Sequence, residues 1–134
     1  MNLRSNYPFW PEKDGIPSTF PKLTKNINTE IVIVGAGISG ALVALAFHDA
    51  GYPIAVLDKR KIAHGSTSAS TALLQYEIDL DLVELIAKIG RNKAERAYHL
   101  CGNAIKAIEN ISSRFACDFV YQPSLYFARE PKDI

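Results

Sequence analysis

The chain has 134 residues, 48% of them apolar and 22% charged, with 15 basic against 14 acidic side chains and a formal charge of +1. With mean hydropathy at zero and only 8 Gly and 7 Pro, a collagenous or disordered chain is excluded. The near-neutral balance, with no basic stripe beyond Lys59, Arg60 and Lys61, also argues against nucleic acid as a partner. Two cysteines, Cys101 and Cys117, make no disulfide framework, and the first seven residues lack the apolar core of a signal peptide, so a cytoplasmic location is expected. Residues 31–47 run 17 positions without a charge, close to the roughly 20 needed to span a bilayer. Three glycines within six positions, and Asp49 just beyond, read instead as strand, turn and helix, so no membrane span is expected.

Residues 1–29 carry Pro8, Pro11, Pro17 and Pro21 with Tyr7, Phe9, Trp10 and Phe20 among them, and show neither a helical nor a strand period. They predict an extended arm lying against a surface that it helps to cover. Ile31, Val32, Ile33 and Val34 form a β-branched run of the kind found in a parallel strand buried on both faces. After a glycine turn, Ile38, Ala41, Leu42 and Leu45 fall at i, i+3, i+4 and i+7 and predict a helix to about Ala50. Gly51 stands where a left-handed C-cap is needed and Pro53 blocks further helix. Ile54, Ala55, Val56 and Leu57 make a second strand ending at Asp58, completing a βαβ unit.

A basic and then hydroxyl-rich loop follows from Lys59 to Thr71, and a short apolar stretch from Ala72 to Leu74. Asp79 or Asp81 can cap a helix through Leu82, Leu85, Ile86 and Ile89 to Gly90. A longer helix is expected over residues 92–115. Its Ala94, Ala97, Cys101, Ala104, Ile108, Ile111 and Phe115 point to a wide apolar face packed on a core, because the flanking positions lack the charge pairs of a zipper. Cys101 falls on that face as a small apolar residue. Residues 119–121 and 125–129 are strand-like around the turn at Gln122, Pro123 and Ser124. Two parallel strands are few for a doubly wound sheet. The expected fold is therefore α/β, a Rossmann-like βαβ unit followed by helices and the start of an antiparallel region, and truncated. The expected domains are an arm (1–29), the βαβ unit and loop (30–78), a helical segment (79–116) and the beginning of a further β-structure (117–134).

The chemistry lies in Gly35, Ala36, Gly37, Ile38, Ser39 and Gly40, a G-x-G-x-x-G that follows a buried strand and opens a helix. Gly35 permits the tight turn, Gly37 lets a pyrophosphate approach the backbone, and Gly40 lets helix and strand pack closely. Ile38 and Ser39 begin the helix, whose unpaired N–H groups and positive dipole end suit phosphates. Asp58, 23 residues after Gly35, is placed to accept hydrogen bonds from ribose hydroxyls. Those residues predict a dinucleotide without choosing between FAD and NAD.

The sequence resembles the FAD-dependent oxidoreductases of the D-amino acid oxidase and glycine oxidase type. The resemblance rests on the lead-in around Tyr7, Pro8, Phe9 and Trp10 with Phe20, Pro21, Lys22 and Leu23, and on the stretch from Glu30 through the glycine motif. It rests too on the strand end from Val56 to Arg60, and on Gly65, Ser66, Thr67 and Ser68 running into Ala69, Ser70, Thr71, Ala72, Leu73 and Leu74. It covers nearly all of this chain but only the opening portion of a family member. It implies FAD as cofactor, with Gly35, Gly37 and Gly40 facing the pyrophosphate and Asp58 the ribose. It also implies Lys59 flanking the adenine side, Thr67 and Ser68 bonding phosphate or ribitol oxygens, and Ala72, Leu73 and Leu74 near the isoalloxazine ring. Many relatives have an Arg and an Asn where this chain has Ser68, Ala69, Ser70 and Thr71, so the resemblance does not assign the substrate.

The function it implies is oxidation of the C–N bond of an amino acid or amine, with a small-molecule substrate and an oligomer or a missing C-terminal segment as partner. No catalytic residue is assigned, because the family's substrate-facing residues lie beyond this chain, and His48, His64 and His99 read as structural. No spacing suggests a metal site. The alternatives are an NAD-linked Rossmann enzyme fragment and a non-catalytic truncated nucleotide-binding module.

Overall fold

A computed structural model describes residues 7–15, 18–125 and 127 of the chain. The described residues fall into two compact units, Met1–Ala72 and Leu73–Ile134.

In the first unit, Pro8 precedes a single helical stretch, α1 (Phe9–Lys13), where a wholly extended arm is expected from the sequence. Four prolines conceal the helix because Pro11 sits in its first turn, where a backbone N–H has no helical acceptor in any case. The strands β1 (Ile31–Val34) and β2 (Ile54–Leu57) pair in parallel, with Ile31 beside Ile54 and Val34 beside Leu57. Between them α2 (Ile38–Asp49) makes the crossover. Gly51, at φ +83°, takes the left-handed conformation that a side chain would resist. Its N–H bonds to the His48 carbonyl and so closes α2. Ile33 is the buried residue of β1, whereas Val32 and Val34 on the other side of the strand are 52% and 85% exposed.

The second unit is a helical pair, α3 (Leu82–Ile89) and α4 (Arg91–Ser112). Of the two candidate caps it is Asp81 that acts: its Oδ1 accepts from the Glu84 N–H at 2.7 Å, which satisfies one of the orphan donors of the first turn. Gly90, at φ +83°, turns the chain between the helices. Leu85 and Ala94 are buried where they pack. Cys101, Ile108 and Ile111 of the expected apolar face are half-buried, but Ala104 and Phe115 are exposed. The Tyr98 hydroxyl donates to the Leu80 carbonyl at 2.8 Å and ties α4 to the segment before α3.

Residues 119–121, strand-like by composition, are not in a strand. An isolated apolar run has no ladder to join without a neighbour at strand distance, and here Phe119 and Tyr121 instead stack edge to face at 5.4 Å. The expected strand at 125–129 lies for the most part outside the described residues. Among the described residues no helix is long and apolar enough to cross a membrane.

Candidate functional site

The glycine turn joins β1 to α2, and its backbone is held from three directions. The Gly35 N–H donates to the Leu57 carbonyl at 2.7 Å, which continues the β ladder one step past the strand. Gly35 itself has φ +110°, a conformation that favours glycine strongly. A Cβ on Gly40 would collide with the Gly35 carbonyl oxygen, and it would stand 3.6 Å from Ile33 Cγ2. Only a bare Cα lets the first turn of α2 rest on the strand it leaves.

Asp58, at the end of β2, reaches back across this turn. Its Oδ2 accepts from the Ala36 N–H and its Oδ1 from the Arg60 N–H, each at 2.7 Å. These two backbone hydrogen bonds, the Ala36 bond foremost, hold its carboxyl below the usual 3.8; partial desolvation opposes them, and the charges of Arg60 and Lys59 assist. The carboxylate is thus ionised and oriented. Each of its oxygens retains capacity for a further donor. Lys59 is exposed beside it.

The hydroxyl-rich loop folds against the same turn. The Ala63 N–H donates to the Ala36 carbonyl at 2.9 Å, and residues Ser66–Ala69 form a 3₁₀ turn. Thr67 and Ser68 then take different roles. The Thr67 Oγ1 accepts from the Ile38 N–H at 2.9 Å, at the first position of α2. Ser68 is buried, and its hydroxyl donates to the Gly65 carbonyl at 2.9 Å, so it braces the turn from behind. Trp10 of α1 donates its indole N–H to the Ser70 carbonyl at 2.8 Å, and the Ser70 Oγ accepts from the Ala72 N–H at 3.1 Å. Ala72 has φ +58°, an uncommon conformation for a residue with a side chain.

These elements form an open groove of about 450 Å³ lined by Gly37, Ile38, Ser39, Gly65, Ser66, Thr67 and Ser70. The first intrahelical bond of α2 runs from the Ala41 N–H to the Gly37 carbonyl, so the N–H groups of Ser39 and Gly40 precede it and are open to an acceptor. The lining holds hydroxyls and backbone donors and no acidic side chain. It therefore suits an anion at a helix N-terminus. A Cβ on Gly37 would stand 3.0 Å from the Thr67 Oγ1 and close the groove from its floor. On these observations the residues present fit the pyrophosphate of a dinucleotide.

Of the residues singled out in the sequence, Gly35, Gly37, Ile38, Ser39, Gly40, Asp58, Lys59, Thr67 and Ser68 all lie at this turn or on the two loops packed against it. Ala72 ends the first unit, and Leu73 and Leu74 open the second, both exposed. Two features escape a reading of the sequence: the Thr67 contact to the helix and the Trp10 contact to Ser70, which joins residues 60 apart. His48 and His99 are exposed and His64 half-buried. Among the described residues, no three His, Cys, Asp or Glu side chains are grouped to hold a metal ion.

A parallel β–α–β unit with a glycine turn after its first strand and an acid at the end of its second is compatible with a Rossmann-like α/β fragment. The chain belongs to the FAD dependent oxidoreductase (DAO) family, whose profile matches residues 30–134, and FAD is that family's cofactor. Among curated proteins it is 28% identical over 125 residues to YhfW of Bacillus subtilis (strain 168), whose name describes a Rieske 2Fe-2S iron-sulfur protein; the match covers 91% of this chain and 24% of that one. It is 25% identical over 118 residues to the gamma-glutamylputrescine oxidoreductase of Escherichia coli (strain K12), covering 86% and 27%. It is 35% identical over 74 residues to the aerobic glycerol-3-phosphate dehydrogenase of Staphylococcus saprophyticus, covering 52% and 13%. The chain thus spans about a quarter of the length of the first two. No solved structure matches it.

Proposed function

We propose that this chain is the N-terminal FAD-binding portion of an oxidoreductase that oxidises the C–N bond of an amino acid or amine. The groove between the glycine turn and the Thr67 loop, with Asp58 beside it, is the observation that carries the reading. Gly35, Gly37 and Gly40 bring backbone close to the pyrophosphate, and the open N–H groups of Ser39 and Gly40 supply the positive end of α2 beside Ile38, whose own N–H is held by Thr67. Thr67 contributes its hydroxyl, and Ser68 holds that turn in shape through Gly65. Asp58 accepts from the ribose hydroxyls, with Lys59 on the adenine side. The family resemblance assigns Ala72, Leu73 and Leu74 to the segment that serves the isoalloxazine ring. When bound, FAD supplies the electron acceptor; the protein's part is to bind, orient and tune it.

An amine or amino acid as substrate is supported by the relative named for gamma-glutamylputrescine, which this chain matches over 86% of its length. The match to the relative named for glycerol 3-phosphate covers only 52%. The test is a flavin-fluorescence titration of the purified chain with FAD, repeated in the presence of NAD. Saturable FAD binding that NAD does not displace is expected. Displacement by NAD, or no FAD binding, overturns the reading.

A further inference from the structure

We propose that Trp10 is a positioning residue for the cofactor groove, and that α1 is a built-in clasp on the loop that forms one wall of it. The inference rests on the FAD reading above. Trp10 is the chain's one tryptophan, and it reaches 60 positions along the sequence to donate its indole N–H to the Ser70 carbonyl at 2.8 Å. Ser70 lines the groove with Gly37, Ile38, Ser39 and Thr67.

Ser70 is a junction of three hydrogen bonds. Its N–H closes the 3₁₀ turn by donating to the Thr67 carbonyl at 3.3 Å, its carbonyl takes the indole, and its Oγ accepts from the Ala72 N–H at 3.1 Å. Thr67, one turn back, holds the Ile38 N–H. The indole N–H is therefore linked through Ser70 to the hydroxyl on the α2 terminus on one side and to the left-handed Ala72 on the other. Loops of this kind open at low free-energy cost unless something ties them down. The indole is itself well held, with the Phe9 ring edge-on at 5.1 Å and the Lys13 ammonium 5.5 Å from its centre. A donor fixed by two neighbours loses little freedom in making the bond.

The test uses Trp10→Phe, which keeps an aromatic ring on α1 and removes only the donor, beside Phe9→Ala as a control on the same helix. Without FAD, amide hydrogen exchange at Ser70 and Ala72 should quicken in Trp10→Phe while amides of β1 and α4 keep their wild-type rates. With FAD, its affinity should fall roughly three- to ten-fold, the size of one hydrogen bond, and Phe9→Ala should lose less. In the wild type, the same indole should lose fluorescence as FAD fills the groove. Unchanged exchange at Ser70 and Ala72 overturns the clasp, as does wild-type FAD affinity in Trp10→Phe when the wild type binds. A loss in Trp10→Phe no larger than in Phe9→Ala, with the ring of Trp10→Phe still packed on α1, also overturns it, since removing the N–H would then cost nothing beyond disturbed packing of the helix. A wild type that binds no FAD overturns the FAD reading itself, and the positioning role falls with it.

Discussion

Gly37 and Gly40 differ in what an added side chain would meet. At Gly40 a Cβ would run into the Gly35 carbonyl, backbone that cannot give way without moving strand or helix. Gly40→Ala should therefore destabilise the fold itself by about 1–3 kcal/mol, the cost of overpacking, measured by denaturant unfolding. At Gly37 the nearest atom is the Thr67 hydroxyl at 3.0 Å, which a rotation can move. Gly37→Val should leave the circular dichroism spectrum near wild type and abolish FAD binding, and an unchanged affinity would remove the pyrophosphate assignment. Asp58 carries the pH dependence. Because folding lowers its pKa through the Ala36 and Arg60 N–H groups, its stabilising contribution is complete above 3.8 and is lost as pH falls below that value through the folded-state pKa. The stability gap between wild type and Asp58→Asn, followed by thermal melts, should thus be widest near neutrality and close under acid.

The elements differ in how much of their stability is local. α3 is amphipathic, with Leu82, Leu85, Ile86 and Ile89 on one side, and begins at a working cap; Asp81→Ala should cost about 1 kcal/mol, read from unfolding of the chain, and no loss would mean that the Asp81–Glu84 bond contributes nothing. α2 has no such polar side. Its Ile38, Val43 and Phe47 are exposed even though Leu42 and Leu45 are partly covered, and a helix apolar all round is of the kind that larger proteins bury. α1 is the opposite case: five residues, one of them proline, are too few to hold a helix alone. It persists through tertiary contact, with the Trp10 indole bonded to Ser70.

At the scale of the whole chain, little is fully covered. Among the described residues only Ile33, Leu85 and Ala94 form buried apolar core, and Val32 and Val34 leave one side of β1 open. Parallel strands of this composition occur covered on both faces, and open edges and apolar patches promote pairing with other chains. The isolated chain should accordingly self-associate as its concentration rises, and Val34→Lys should reduce this, as followed by sedimentation velocity. A monodisperse monomer across the range would show that the exposed strand is not a contact surface.

Residues 31–58 were legible from sequence because each of their signals is local. A β-branched run, three glycines at fixed spacing, a helical period and an acid at the next strand end each constrain the backbone within a few residues of themselves. The same holds for α3 and α4, whose apolar spacing marks a face before any partner is known. What needed the tertiary structure were the choices made by distant neighbours. Thr67 was separated from Ser68 because its hydroxyl meets the Ile38 N–H, 29 residues away, whereas that of Ser68 turns back on Gly65; the choice of Asp81 over Asp79, by contrast, is made locally by the Glu84 N–H. The expected strand at 119–121 did not form, because strand propensity is realised only beside another strand. The helix of Trp10 formed within a proline-rich arm for the converse reason: a contact 60 residues away, invisible to any local period, supplied what its own sequence lacked.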